Sequence, residues 1–309
     1  MTNKPRRHHF IPQFWIRRFQ SPDGKLWSYD KNTDRIGDRS SRQLMQIMNL
    51  YTVQPNGADD TTLETVDLNK IDAQGSATFD RIINGGDRSQ AAKEALASYL
   101  AVQILRDPDV VASFAPRAQE LTMSLLETFD APDFASFRGR WEESFPGASI
   151  TEAEFNHIKS LGLQDAEDAL EQIILALVSQ GGVPELPFTD VVKNPDGRNI
   201  VRDRLLTFNW TVKTDAAGRF ILGDAGVLYN KGDMSDLRAA LSRDVALYLT
   251  PTDAPALGIS STIAPEHDIQ NLNLENAARA RRWIVGDKQE LDRLKSQVGS
   301  QSLPDPNNS

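Results

Sequence analysis

The chain has 309 residues, enough for one large core or two modest ones, and its 39% hydrophobic and 25% charged residues are the balance of an ordinary globular protein. It contains no cysteine, which excludes disulfides, thiolate zinc sites, iron–sulfur clusters and a cysteine nucleophile and fits a cytoplasmic protein. No apolar run approaches the roughly 18–20 residues of a bilayer span, no secretory core follows the basic start, and a net charge of −9 argues against bulk duplex binding.

Residues 1–7 read as a loosely attached arm. From His8 to Ile11 the chain should be extended, because Pro12 pushes the residue before it out of the helical region. Pro12 suits the first position of a short helix, on which Trp15 and Phe19 share a face with Ile16 while Gln13 and Arg17 share another. Ser21 to Lys25 is a turn. Lys25 to Lys31 alternates as a strand, with Leu26, Ser28 and Asp30 on one side and Trp27 and Tyr29 on the other. A short helix from about Ser41 to Met48 and a strand at Leu50–Val53 complete this unit.

Helices should then dominate. Thr61 to Ile83 carries apolar residues at helical spacing up to Asn84-Gly85-Gly86. Ser89 caps the next helix, which ends at Asp107-Pro108, and a further helix runs to about Phe129 with a break at Pro116. Two more are expected at Thr151–Leu161 and Asp165–Ser179, before the boundary Gly181-Gly182-Val183-Pro184. Strands follow at Leu206–Val212, Arg219–Leu228 and Val245–Thr250, then a helix at Asn273–Arg281, a short strand Trp283–Val285 and a helix over 287–297. The fold class is α+β, a mostly helical middle with small β elements contributed by the N- and C-terminal parts. We expect one intertwined domain over 1–309: an N-terminal motif and small β unit (1–55), a helical region (56–180), an α+β region (185–297) and a disordered tail (298–309).

The segment HHFIPQFWIRRF, His8 to Phe19, concentrates two of the four histidines, four aromatics and neighbouring arginines. Residues 1–42 hold ten Lys/Arg against four Asp, a net +6 that leaves −15 for the rest, so a basic arm could meet phosphate or dock on the protein's own acidic surface. On an extended segment His8 and His9 point to opposite faces, so one ligand would see one of them. Imidazole can serve as a base or a metal ligand, and metal-assisted hydrolysis would need carboxylates such as Glu64 and Asp72, close to two helical turns apart. Gln103 and Arg106 are polar residues at the end of an otherwise apolar helix, placed either for the helix dipole or for a phosphate or carboxylate clamp. Asp224, between glycines after the strand Phe220-Ile221-Leu222, could hold a metal or make a turn. His157 and His267 read as ordinary surface or packing residues. GxxxxGK[ST], GxGxxG, GxSxG and HExxH are all absent, which counts against an NTPase, a dinucleotide enzyme, an α/β-hydrolase and a zincin.

HHFIPQFWIRRF, followed by Gly24-Lys25-Leu26-Trp27 and Tyr29-Asp30-Lys31, resembles the opening of the bacterial domain of unknown function 4238 family. Thr62-Leu63-Glu64 with Asp72 resembles that family's acidic helix, and Gln103, Arg106 and Pro108 its Gln-x-x-Arg-x-Pro helix end. FILGDAGV (Phe220–Val227) resembles its strand ending Ser-Asp-Asn-Pro, of which only Asp224 remains, and Asn273 with Ala277–Ala280 resembles its C-terminal helix. The family brings no established activity with it. The resemblance implies that His8, His9, Glu64, Asp72, Gln103, Arg106 and Asp224 form one constellation.

Two functional readings follow. In the first, the protein is a metal-dependent phosphodiesterase or nuclease-like hydrolase. His8 or His9 would act with Gln103 and Arg106, a divalent ion would sit on Glu64, Asp72 and Asp224, and the partner would be a phosphate-containing ligand or nucleic acid at the basic N-terminal segment. In the second it is a non-enzymatic binding module or defence-associated sensor or effector, and the His-His motif is a structural latch.

Overall fold

The computed structural model describes residues 7–48, 50, 67–111, 128, 130–144, 150–160, 195–230 and 234–298. The expected strand at Leu50–Val53, the first turns of the Thr61–Ile83 helix with Glu64, most of the helix after Pro108, the Asp165–Ser179 helix, the Gly181–Pro184 boundary and the tail lie wholly or largely outside them. The chain divides into two compact units, one formed by 1–107 with 200–309 and the other by 108–199.

Among the described residues, the first unit contains three sheets. Strand β1 (Arg7–His9) pairs antiparallel with β4 (Gln46–Met48), with His8 opposite Ile47. Strands β2 (Trp27–Asp30) and β3 (Arg35–Asp38) form a hairpin that continues into β11 (Trp283–Val285) and then β6 (Leu222–Gly223), in the order β3-β2-β11-β6. The two ends of the chain therefore share a sheet. The third sheet takes β5 (Phe208–Thr214), β7 (Val227–Leu228), β8 (Leu237–Ser242), β9 (Val245–Pro251) and β10 (Ile259–Ile263) in the order β10-β5-β9-β8-β7, with only β10 and β5 parallel. Helices α1 (Gln13–Ile16), α2 (Asn69–Ile83) and α3 (Gln90–Leu105) belong to the same unit, as do α7 (Glu266–Arg279) and α8 (Lys288–Val298). This is the α+β class.

An aromatic knot fixes α1. Trp15 is fully buried and its indole N–H donates to the Ala240 carbonyl of β8 at 2.8 Å. Phe79 of α2 lies edge-on to Trp15 at 5.2 Å and to Tyr99 of α3 at 5.4 Å, the arrangement that ring quadrupoles favour. Pro12 stands at the N-cap rather than inside α1, and its carbonyl accepts from the Trp15 and Ile16 amides.

Buried polar side chains close the sheets by binding backbone. Asn273 of α7 accepts from the Ile221 amide at 3.1 Å and donates to the Arg219 carbonyl at 2.8 Å, and Asn276 accepts from the Gly223 amide at 3.1 Å. A Cβ on Gly223 would lie 2.6 Å from the Asn276 carbonyl oxygen, so this approach needs glycine. The buried Lys31 ammonium donates to the Ala277 and Ala280 carbonyls at 3.1 and 2.7 Å, capping the end of α7.

The helix expected at Asn273–Arg281 begins earlier, at Glu266, and two other expected elements differ in kind. The segment Ser41–Met48 is a 3-10 turn (Ser41–Gln43) capped by Ser40, followed by β4. Met45 adopts φ 51°, outside the right-handed helical region, and the next three residues are taken by pairing with β1. Arg219–Leu228 is two short strands in different sheets, because the turn at Asp224–Gly226 carries the chain from one sheet to the other. Gly226 has φ +68°, and a Cβ there would meet Ile11 Cδ1 at 2.5 Å.

In the second unit, α4 (Phe134–Ser144) and α5 (Glu152–Ser160) pack through Phe137, Trp141 and Phe155, with the Phe137 and Phe155 rings 4.7 Å apart. Helix α6 (Pro195–Leu206) leads into β5. No helix among the described residues is long and apolar enough to cross a membrane.

Asp224 is 2% exposed, and its carboxylate accepts from the Arg281, Arg282 and Trp283 amides at 2.7, 2.9 and 2.9 Å. Removing that acceptor strands three amides, so Asp224→Ala should cost about 3 kcal/mol, with Asp224→Asn recovering part of it. The urea midpoints of the two variants measure this.

Candidate functional site

The site begins at the C-terminal end of α3. Ser89 caps this helix by accepting from the Ala92 amide, and its body is buried almost all round. Its last turn carries two polar side chains three residues apart and so on one face, Gln103 and Arg106, 3% and 1% exposed. Both reach β1 and the residue after it. Gln103 Nε2 donates to the Phe10 carbonyl at 2.6 Å, and Arg106 Nη2 donates to the His9 carbonyl at 2.9 Å. Arg106 Nη1 donates to Asp72 Oδ1 of α2 at 2.5 Å. One guanidinium thus ties the N-terminal strand to two helices.

Beside this clamp is a cavity of about 320 Å³. The α1 segment supplies Pro12, Gln13, Phe14 and Arg17, while α2 supplies Asn69, Asp72, Ala73 and Ser76 at helical spacing; His9 and Arg106 complete it. Small side chains at Ala73 and Ser76 leave the space open. Arg17 is exposed, and no hydrogen bond or ion pair joins its guanidinium to another described residue.

The electrostatics separate the charged groups. Burial pushes the Asp72 carboxyl above the usual range, and the adjacent Arg106 opposes that shift. Burial holds the His9 imidazole below 6.5, against the neighbouring backbone of Ser41 and Arg42 and helped by Arg106 and His8, so it is neutral at pH 7. His9 Nε2 is shielded from solvent and has no hydrogen-bond partner among the described residues.

The sequence candidates therefore fall into three groups. His9, Asp72 and Arg106 meet at the cavity. His8 is fully buried on the other face of β1, and Gln103 is occupied by the Phe10 carbonyl; neither lines the cavity. Asp224 also stands apart from it, engaged by its three amides, with burial pushing its carboxyl up. Glu64 lies outside the described residues. Among the described residues no three His, Asp or Glu side chains gather where they could hold a metal ion. His157 is exposed and His267 lies 3.4 Å from Asp268 on the surface. Sequence reasoning missed Asn69, Ala73, Ser76 and the role of Arg17. The signals were present: Gln13 and Arg17 are one turn apart, and residues 69, 72, 73 and 76 form a polar, small-residue stripe on α2.

Residues 7–290 match the family described as "Protein of unknown function (DUF4238)". The chain belongs to that family. Most of the family-like positions, including Gln103, Arg106, Asp224 and Asn273, bind backbone in this member; His9, which also meets the backbone of Ser41 and Arg42, Asp72 and Arg106 are the ones that line the open cavity. The chain matches no curated protein and no solved structure.

Replacing Arg106 by Met leaves the Asp72 carboxylate and the His9 carbonyl without their donor. It should cost about 3 kcal/mol in urea unfolding, and Arg106→Lys should recover only part, because one ammonium lacks the planar fork that reaches both acceptors.

Lowering the His9 pKa in the fold means that the unfolded chain binds the proton more readily. Its contribution is fully present above the unfolded value of 6.5 and is lost as pH falls toward the lower folded value. The stability difference between the wild type and His9→Gln should therefore be flat above about pH 7.5 and shrink between about pH 6.5 and 5, as read from urea unfolding across that range.

Proposed function

We propose that the protein is a phosphodiester hydrolase whose ligand sits in the cavity between α1 and α2. The observation that carries this reading is the His9 imidazole, held neutral in the cavity wall with an Nε2 that no described residue satisfies, beside Asp72, Arg106 and Arg17, whose guanidinium has no ion pair among the described residues. A buried ring nitrogen left without a partner costs stability, which makes it a candidate for chemistry. A neutral imidazole can take a proton from water as the water oxygen attacks phosphorus. The P–O ester bond then breaks, the departing alkoxide takes a proton from solvent, and the imidazolium returns its proton to solvent. Arg17 would meet the charge that gathers on the phosphoryl oxygens, while Arg106 keeps Asp72 in place. Small neighbouring side chains give the substrate room.

The second reading, a binding module without turnover, is favoured by one specific observation: Gln103 and Arg106 bind the Phe10 and His9 carbonyls, and His8 is sealed in the core, as a latch requires. The two readings part in a turnover assay with bis(p-nitrophenyl) phosphate, run with EDTA, with Mg²⁺ and with Mn²⁺. Hydrolysis that falls about 10²–10⁴-fold in His9→Ala, in a variant whose circular dichroism melt stays cooperative, supports the hydrolase. Activity unchanged in both His8→Ala and His9→Ala removes it. Phosphate binding without turnover under all three conditions favours the binding module.

A further inference from the structure

A second cavity, of about 430 Å³, opens on the other side of Arg17 and is lined by Arg39, Asp38, Ser40 and Ser41 among others. Both cavities fall in the size range of small-ligand clefts, roughly 300–1,000 Å³. Arg17 lines both. The wall between them is thin: Ser41, from the second, donates its hydroxyl to Gln13 Oε1 of the first at 3.4 Å.

The second cavity also holds an acid and a cation. Its acid, Asp38, is engaged by the Leu26 amide at 3.0 Å. Its cation, Arg39, stacks on the Trp283 ring at 4.9 Å, has a shielded Nε with no hydrogen-bond partner, and forms no ion pair with a described residue. Two guanidinium groups without carboxylate partners among the described residues, Arg17 and Arg39, thus stand along one path. A monophosphate can neutralise one of them. A chain with successive phosphates can neutralise both.

We propose that the two cavities are consecutive subsites of one groove for a single-stranded oligonucleotide, with Arg17 on the phosphate between subsites and Arg39 on the next. The proposal rests on the phosphodiester reading above and names its substrate class. Single strands suit the site better than duplex: the whole chain carries −9, which argues against bulk duplex binding, and Phe14 in the first cavity offers an aromatic surface to an unstacked base.

Calorimetric titration of the full chain with dTMP, dT8 and rU8, at two salt concentrations, tests it. The wild type should bind at least one octamer tenfold or more tighter than dTMP. Arg39→Gln should abolish that advantage, leave dTMP binding unchanged and lower the salt slope for the octamer by about 0.7, the share of one phosphate contact on a single strand. Arg17→Gln should weaken both ligands. If dTMP binds and neither octamer binds more tightly, or if Arg39→Gln keeps the full advantage while folded, the groove is overturned and the single-pocket reading survives. If neither dTMP nor an octamer binds, both fall together.

Discussion

The buried guanidinium of Arg106 is the contact on which the rest of the first unit depends. It is 1% exposed, so its charge must be met by fixed groups, among them the His9 carbonyl and the Asp72 carboxylate. Each lies on a different element, one at the end of β1 and one on α2. The geometry of a planar fork therefore determines where those elements sit relative to the end of α3. The position of β1 in turn sets the direction of the His9 ring, because strand alternation sends His8 inward and His9 toward the cavity. A backbone contact thus orients a side chain.

The same device recurs throughout the unit. Asp224 takes three amides, Asn273 and Asn276 take the amides of Ile221 and Gly223, and Lys31 takes two carbonyls at the end of α7. These groups lie where strands are only two or three residues long and cannot satisfy their own flanks through ladder pairing. A buried amide without an acceptor costs about as much as a lost hydrogen bond, so short strands require side chains of this kind. Burial and charge oppose one another at Asp224 and Lys31. Asp30 shows the balance: burial raises its carboxyl, but the Arg282 fork at 3.1 Å and the Asn32 amide bring it below the ordinary carboxylate range.

Much of this order can be read from the residues. The α+β class, the cap at Ser89, the end of α3 at Asp107-Pro108 and the strand Trp283–Val285 follow from local chemistry that tertiary contacts did not override. The strands β3, β8 and β10 did not announce themselves. Leu237–Ser242 has Ala at its centre and no β-branched residue, and Ile259–Ile263 is largely exposed, so neither presents the alternation that marks a half-buried strand. The segment 46–48 failed for a different reason: its pairing partner lies some forty residues earlier, and periodicity does not carry register. At the site, residue type suggested where polar chemistry is concentrated but not what each group does. Gln103 and Arg106 looked like a clamp for a ligand and are a clamp for the chain's own backbone, since a carbonyl and a phosphoryl oxygen ask the same donors of them.

That ambiguity also explains how a latch and a pocket can occupy one place. Closing β1 against α3 requires donors at the helix end, and those donors bring a cation beside the His9 ring. The cation, together with burial, keeps the ring neutral, the state in which it accepts a proton. Gln103 contributes to the latch through Phe10 without lining the cavity, whereas Arg106 serves latch and cavity together. The two roles are therefore separable at Gln103 and inseparable at Arg106. Loss of the first should loosen the strand while sparing the electrostatics of the cavity, and loss of the second must disturb both, because the charge that orders the backbone is the charge that conditions the histidine.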